Sequence, residues 1–74
     1  MTGQTRLDEC LNEGARRLTA AGVGSARRDA RLIMAHWLGR DPARLFGRQD
    51  EILPPPDAFF ELVSRRARRE PLSH

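Results

Sequence analysis

The sequence predicts a small all-α domain, a bundle of four to five helices. Apolar residues recur at steps of three and four along three segments of the 74-residue chain, and no segment reads as a strand. A hydrophobic fraction of 39% suffices for one compact core, although a chain of this length buries only a modest share of its surface. We therefore expect one domain whose short connections place neighbouring helices antiparallel.

The central helix is the strongest predicted element and runs from Ser25 to Leu38. Its apolar residues form one stripe, made of Ala26, Ala30, Ile33, Met34, Trp37 and Leu38. Ser25 is a suitable N-cap, and Gly39 suits the left-handed residue that follows a helix. The elements before and after this helix are expected to cover its stripe.

A first helix is predicted from about residue 5 to residue 21, after a disordered N-terminus at residues 1–4. Its apolar face comprises Leu7, Cys10, Leu11, Gly14, Ala15 and Leu18. Thr5 and Asp8 resemble a capping pair at its start. Gly14 costs helix stability relative to alanine, but on the apolar face it would let the next helix approach closely.

A short third helix is predicted after the central one. Asp41 is a suitable N-cap, Pro42 suits the first helical position, and Gly47 ends the helix. Its expected core anchors are Leu45 and Phe46. In the five-helix version of the bundle, residues 48–53 add one more helical turn.

The last predicted helix runs from Pro56 to Arg69. Phe59, Phe60, Val63 and Ala67 form its stripe, with Leu62 on the flank. The prolines at 54–56 allow two interpretations, a polyproline ligand or a stiff connector whose last proline opens the helix, and the helical pattern that follows favours the connector. Glu70-Pro71 ends the helix and the domain, because the residue before proline avoids the helical region.

Composition places the chain among cytoplasmic proteins. No apolar run approaches the length of a membrane span, and the N-terminus lacks the pattern of a signal peptide. Cys10 is the single cysteine, which excludes a disulfide framework or zinc cluster within the chain and suits a small buried residue. All thirteen basic residues are arginine against ten acidic residues, and the net charge of +3 permits an acidic partner.

No catalytic, cofactor-binding or metal-binding residue is predicted. His36 has no second ligand at metal-binding spacing, and His74 stands at the chain end. Ser25 has no base placed to activate it. Gly22 and Gly24 follow a helix and not a strand, so they do not form a phosphate-binding loop.

The strongest binding candidate is the run Arg65-Arg66-Ala67-Arg68-Arg69. Four arginines within one and a half turns could contact phosphates or an acidic protein surface. The competing interpretation is a solvated helix end, with Arg65 pairing with Glu61 and cations favoured at the helix C-terminus. No aromatic residue interrupts the run, so it does not predict base stacking.

Two segments, AAGVGSARRDARLIMAHWLGRD and SRRARREPLSH, carry a resemblance to a known family. The chain resembles the N-terminal domain of HemK-type methyltransferases, which methylate the glutamine of the GGQ motif in class 1 peptide chain release factors. The matching positions are Ala21, Gly22, Ser25, Arg28, Asp29, Ala30, Leu32, His36, Leu38, Gly39, Arg65, Arg66, Glu70, Pro71 and Leu72. The chain departs from the pattern at Arg69, where a glycine is common, and at the prolines 54–56.

The resemblance implies a substrate-recognition domain of an enzyme whose catalytic domain is absent here. The parent would transfer a methyl group from S-adenosylmethionine, whereas this fragment would hold the release factor beside its own catalytic domain. Residues 71–74 would begin the connector, with Glu70 and Pro71 setting its direction. Charge alone suggests Arg65, Arg66 and Arg69 as partner-binding residues. Arg65→Glu with Arg66→Glu is then expected to weaken release-factor binding in the parent without unfolding the bundle.

Two other classes of function stay open at the level of sequence. A small basic module could bind nucleic acid if Gly22-Val23-Gly24 and the central helix mimic a helix-turn-helix, but the exposed face mixes Arg27, Arg28 and Arg31 with Asp29 and offers no Asn or Gln for base edges. A plain interaction or dimerisation bundle is the other class, although we expect a monomer.

Overall fold

A computed structural model describes residues 5–68. In chain order the elements are β1 (Thr5–Arg6), α1 (Leu7–Ala20), α2 (Ala26–Leu38), a 3-10 turn (Pro42–Leu45), β2 (Ile52–Leu53) and α3 (Asp57–Ala67). The mainly helical fold agrees with the prediction. The count of four to five helices does not, because the described residues form three α-helices, one 3-10 turn and a two-stranded sheet.

The three α-helices enclose one core. The predicted face of α1 is confirmed in full, since Leu7, Cys10, Leu11, Gly14, Ala15 and Leu18 are all buried. The other buried apolar side chains are Ala26, Ala30, Ile33, Met34, Ala35, Leu45, Leu53, Phe59 and Val63. Trp37 and Leu38 of the predicted α2 stripe are partly buried against this core. The helical period therefore identified the inward faces correctly.

The start of α1 differs from the prediction. Thr5 lies in β1, and no side chain caps the helix at Arg6. Instead the Leu7 N–H donates to the Glu51 carbonyl at 2.8 Å and the Asp8 N–H donates to the Gln49 carbonyl at 3.1 Å. A distant loop thus accepts from the first amides of the helix, which removes the need for the predicted capping pair.

The sheet is a correction to the expectation that the chain holds no strand. β1 and β2 pair antiparallel, with Thr5 opposite Leu53 and Arg6 opposite Ile52. The additional helical turn predicted for residues 48–53 is therefore wrong, because Ile52 and Leu53 form β2 and residues 48–51 form no helix. Two-residue strands are too short for the alternation that identifies a strand in a sequence, so this pairing becomes visible only when both segments meet.

Glycines end both long helices as predicted. Gly22 (φ 88°) follows α1, and the next amide, that of Val23, donates to the Leu18 carbonyl at 3.0 Å. Gly39 (φ 69°) follows α2, and the Arg40 N–H donates to the Ala35 carbonyl at 2.9 Å. Both arrangements are Schellman-type ends, which require a left-handed residue after the helix.

The predicted third helix is a single 3-10 turn. The Asp41 carboxylate accepts from the Ala43 N–H at 2.9 Å, which confirms the cap, and Gly47 (φ 80°) follows as predicted. Leu45 is buried, which confirms it as a core anchor. Phe46 is 65% exposed, so the prediction that it anchors the core is wrong. A turn of this length directs one large side chain inward, and Leu45 takes that place.

The third helix, α3, closes the bundle. Pro56 occupies the N-cap position and the helix ends at Ala67, so α3 begins one residue later and ends two residues earlier than predicted. Phe59 and Val63 are fully buried, while Phe60, Leu62 and Ala67 are partly buried. Gly14 does admit a close approach, but by the Phe59 ring of α3 and not by α2, the next helix in the chain. Among the described helices none has both the length and the apolar character needed to cross a bilayer.

Several predictions fall on residues outside the described part of the chain. They are the disordered segment 1–4, the partner-binding role of Arg69, and the connector at 71–74 with the direction that Glu70 and Pro71 would set.

Candidate functional site

The predicted binding run at the end of α3 divides into side chains with different surroundings. Arg65 is exposed and pairs with Glu61 at 3.5 Å, one turn earlier in the same helix, as the solvated-helix interpretation expects. Arg66 instead reaches across to α2, where its Nε lies 3.1 Å from Oδ2 of Asp29. Arg68 is exposed at the helix end. Arg65 therefore faces solvent, whereas Arg66 joins α3 to α2.

The Asp29–Arg66 ion pair changes the charge of the α2 surface. The Asp29 side chain is only 14% exposed and pairs with α3. The sequence suggested that Asp29 would offset Arg27, Arg28 and Arg31 on one exposed face. In the fold these arginines have no carboxylate within ion-pair distance among residues 5–68. The N-terminal half of α2 thus carries uncompensated positive charge.

A cavity of about 90 Å³ lies beside these arginines, between α1, α2 and the 3-10 turn. Leu7, Leu11 and Leu45 form its apolar floor, and all three belong to the core. Arg27 and Arg31 line its edge. We call this feature, with its floor of leucines and its two arginines, the α2 cavity.

The two arginines of the α2 cavity are held in place by neutral groups. The Arg27 Nη1 donates to Oδ1 of Asn12 on α1 at 2.7 Å. The Arg31 guanidinium lies over the Phe46 ring, 5.2 Å from its centroid, which is within the range of a cation–π interaction. Asp8 also borders the cavity: its Oδ2 pairs with Arg6 at 3.3 Å, which lowers the Asp8 pKa, while its Oδ1 is buried with no hydrogen-bond partner among residues 5–68. The edge of the cavity is therefore net positive.

Several arginines elsewhere on the bundle pair with nearby carboxylates, although Arg44 and Arg48 form no ion pair among residues 5–68. Glu13 accepts from Arg16 at 2.6 Å and from Arg17 at 2.9 Å, and these hydrogen bonds lower its pKa to about 2. Arg40 forms a two-pronged ion pair with Glu51, which lowers the Glu51 pKa. Charge compensation on α1 and at the sheet contrasts with its absence at the α2 cavity.

Phe46 is the functional candidate that sequence reasoning assigned to the core. At 65% exposure it is the most exposed of the large hydrophobic residues in the described chain, ahead of Ile52 and Leu32. Its ring borders the α2 cavity beside Arg31. A 3-10 turn has no extended periodicity, so the sequence offered no signal to separate Phe46 from Leu45.

The described residues assemble no reactive cluster. His36 is exposed on α2, and no group of three His, Cys, Asp or Glu side chains within residues 5–68 is arranged to hold a metal ion. Burial raises the pKa of the Cys10 thiol to about 11, so this thiol is protonated and unreactive at neutral pH. Ser25 holds the N-cap position without a side-chain hydrogen bond.

Comparison with known proteins gives a consistent result. A family model described as the PrmC N-terminal domain matches residues 9–74. The release factor glutamine methyltransferase of Corynebacterium glutamicum is 48% identical over 69 residues, which is 92% of this chain and 24% of the relative. Its counterparts in Mycolicibacterium smegmatis (44% identity over 95% of this chain and 25% of the relative) and Rhodospirillum rubrum (41% over 90% and 21%) also match.

This chain spans about a quarter of the length of the curated relatives it matches. No solved structure gives a significant match.

Proposed function

Because the chain belongs to the family of PrmC N-terminal domains, we propose that it is the substrate-recognition domain of a release factor glutamine methyltransferase. The match over residues 9–74 carries this proposal, and the names of the relatives supply the enzyme and its protein substrate. In the proposed reaction the parent enzyme acts in the cytoplasm. It transfers a methyl group to the glutamine of the GGQ motif in a class 1 release factor.

The methyl donor proposed for the parent, S-adenosylmethionine, does not fit the described residues. The α2 cavity, at about 90 Å³, is far below the roughly 300–1,000 Å³ of ordinary ligand clefts. Its two arginines would also repel the sulfonium cation of this donor. We assign no chemical step to this domain. Its proposed contribution is to bind the release factor while the catalytic domain of the parent engages the glutamine.

The surface chemistry supports a binding role for the domain. Exposed arginines and an exposed aromatic ring lie on a rigid helical frame, and such residues are common at protein interfaces. We propose that the domain acts as a monomer, with the release factor and the catalytic domain of the parent as its partners.

Calorimetric titration of the protein with a purified class 1 release factor tests the recognition role. The release factor of Corynebacterium glutamicum is a suitable probe, because a methyltransferase of that organism is 48% identical to this chain. We expect saturable binding with a Kd in the micromolar range, the weak end of the affinities found for protein interfaces. A translation factor without a GGQ motif is the control. Absence of heat and of complex at about 1 mM would refute the proposal.

The enzymatic part of the proposal is tested in the full-length Corynebacterium glutamicum relative. Removing the region that matches this chain should raise the KM for the release factor at least tenfold and change kcat less, because the loss is one of substrate binding. An unchanged KM would show that this domain does not recognise the substrate.

Arg65→Glu is the cleaner test of the α3 surface predicted from sequence. Arg66→Glu would place a second carboxylate beside the half-buried Asp29 and disturb the packing of α3 on α2. Arg65 pairs with the exposed Glu61, so reversing the charge of Arg65 should leave the core unchanged. Weaker release-factor binding by this single variant would support the predicted partner-binding role of the α3 arginines, and unchanged binding would count against it.

A further inference from the structure

The α2 cavity has the composition of a docking pocket for a protein segment. We infer that it receives an acidic segment of the release factor, with one aliphatic side chain on the leucine floor and a neighbouring carboxylate between Arg27 and Arg31. The identity of the partner rests on the proposed function. The chemistry of the occupant depends on the cavity alone.

The size of the cavity indicates a single side chain. A volume of about 90 Å³ is far below the roughly 300–1,000 Å³ of an ordinary ligand cleft, so it suits one side chain and not a larger group. Leu7 and Leu45, 1% and 4% exposed, supply the apolar part of the lining, whereas Asp8 and Gln49 add polar atoms to it. An aliphatic group that enters removes apolar surface from water, which is favourable.

The charge at the cavity edge indicates an acidic neighbour for that side chain. Within residues 5–68, Arg27 and Arg31 have a neutral amide and an aromatic ring as their partners and no carboxylate. Six other arginines of the bundle do have carboxylate partners, namely Arg6, Arg16, Arg17, Arg40, Arg65 and Arg66. The one carboxylate at the cavity, Asp8, is engaged by Arg6. An incoming carboxylate would complete the pairing that the fold supplies elsewhere.

Phe46 supplies a second contact for the same segment. Its ring is 65% exposed, and Arg31 lies over it at 5.2 Å. Aromatic and arginine side chains next to a pocket are frequent energetic centres of protein interfaces. A bound segment would cover the ring and remove water from the Arg31 guanidinium, which strengthens its pairing with a carboxylate.

A protein segment explains these features better than a nucleic acid does. A phosphate backbone needs a row of cations along a groove, whereas Arg27 and Arg31 converge on one small cavity with an apolar floor. The neighbouring Arg28 is one turn from Leu32, another exposed apolar residue. Apolar residues between the cations suit an acidic segment that also carries aliphatic side chains.

The test uses three single variants of the protein and two probes. Arg31→Gln removes the pocket cation, Phe46→Ala removes the exposed ring, and Arg16→Gln removes an exposed arginine of α1 as the matched charge control. The probes are labelled Corynebacterium glutamicum release factor and a peptide of alternating glutamate and leucine, both measured by fluorescence anisotropy. Circular dichroism confirms that each variant is folded.

We expect Arg31→Gln and Phe46→Ala each to weaken the binding of both probes about tenfold. The Kd values of Arg16→Gln should stay within twofold of those of the unaltered protein. Raising the salt concentration should weaken probe binding by the unaltered protein and by Phe46→Ala more steeply than binding by Arg31→Gln. The Arg31→Gln variant has already lost one of the charges that salt would screen. Equal binding of the release factor by all variants would overturn the docking inference and leave the proposed function standing.

Two further outcomes separate the inference from the proposed function. If the peptide binds and depends on Arg31 while the release factor does not bind, the pocket chemistry is right and the proposed partner is wrong. If neither probe binds, or if random duplex DNA competes with the peptide at equal concentration, the inference is overturned. It is also overturned if the rest of the full-length relative, added as a separate protein, blocks the peptide, because the cavity would then face the enzyme's own domain.

Discussion

At the scale of single residues, Gly14 shows how one missing side chain sets the distance between two helices. A Cβ at this position would lie 2.8 Å from Cζ and 3.0 Å from Cε2 of the Phe59 ring. Phe59 is fully buried and packed against Trp37 and Phe60, with ring centroids 5.8 Å and 5.1 Å away. The ring therefore has little room to move away from an added methyl group.

Gly14→Ala should destabilise the protein although alanine favours the helix. The helix gains about 1 kcal/mol from the substitution, while overpacking against Phe59 costs about 1–3 kcal/mol. We expect a net loss of about 1 kcal/mol in the free energy of unfolding, measured by urea denaturation. Gly24→Ala is the control, because nothing lies within 4 Å of its added Cβ. A more stable Gly14→Ala protein would show that α3 can move outward at little cost.

Glu13 is the residue whose titration should couple to stability. Hydrogen bonds from Arg16 and Arg17 lower its pKa from 4.5 to about 2 in the folded protein. A lowered folded pKa means that its contribution is present above about pH 4.5 and is lost as the pH falls through about 2. We expect unfolding curves of the unaltered protein to lose more stability between pH 5 and pH 2 than those of Glu13→Gln. Equal acid sensitivity of the two proteins would contradict this assignment.

At the scale of elements, side-chain pairs between segments determine how the helices are joined. The ion pair between Arg40 and Glu51 connects the end of α2 to the start of β2. It closes the loop that contains the 3-10 turn. The carbonyls of Gln49 and Glu51 in the same loop then accept from the first amides of α1. The loop therefore caps one helix and connects two others, and its conformation depends on contacts distant in sequence.

The Asp29–Arg66 pair should couple α2 to α3. A double-mutant cycle with Asp29→Ala and Arg66→Ala is expected to give a coupling energy of about 1 kcal/mol, because both side chains are partly shielded from water. The exposed pair of Glu61 and Arg65, within α3 alone, is the matched control and should give about 0.3–0.5 kcal/mol. Equal coupling in both cycles would show that burial adds nothing to the interhelical pair.

At the scale of the whole molecule, Phe59 is the residue that all three helices share. It lies on α3, its ring contacts the Gly14 position on α1, and it packs against Trp37 on α2 with the two ring planes tilted by 38°. A domain of 74 residues is expected to have roughly 4–11 kcal/mol of stability, at about 0.05–0.15 kcal/mol per residue. One side chain thus carries a large part of the margin between the folded and unfolded states.

Phe59→Ala should leave the protein largely unfolded at 37 °C. The cavity that it creates costs about 3–5 kcal/mol, which is comparable with the whole stability of a domain this small. Phe46→Ala is the matched control, because the same deletion at a ring that is 65% exposed should change stability by less than about 0.5 kcal/mol. The fluorescence of Trp37 during heating measures the thermal unfolding of both variants. A cooperative transition of Phe59→Ala near that of the unaltered protein would refute the role of Phe59 as the shared contact.

Local patterns along the chain specify the helices and their inward faces, because each of these depends on residues within a few positions of one another. The period of α1 identified every buried residue of its face, and glycine marked the end of both α1 and α2. Asp41 likewise capped the turn after α2 as predicted. The resemblance in α2 and at the chain end also identified the family before any fold was known.

Packing between distant segments sets which charges among residues 5–68 remain unpaired and which apolar residue stays exposed. Asp29 pairs with Arg66, 37 positions away, and this pairing leaves the arginines of the α2 cavity without a carboxylate among the described residues. The β1–β2 pairing and the exposure of Phe46 likewise arise where distant segments meet. Periodicity reports which face of a helix is apolar, but the partner of a side chain depends on the packing of distant segments. For that reason the candidate binding surface became visible in the fold and not in the sequence.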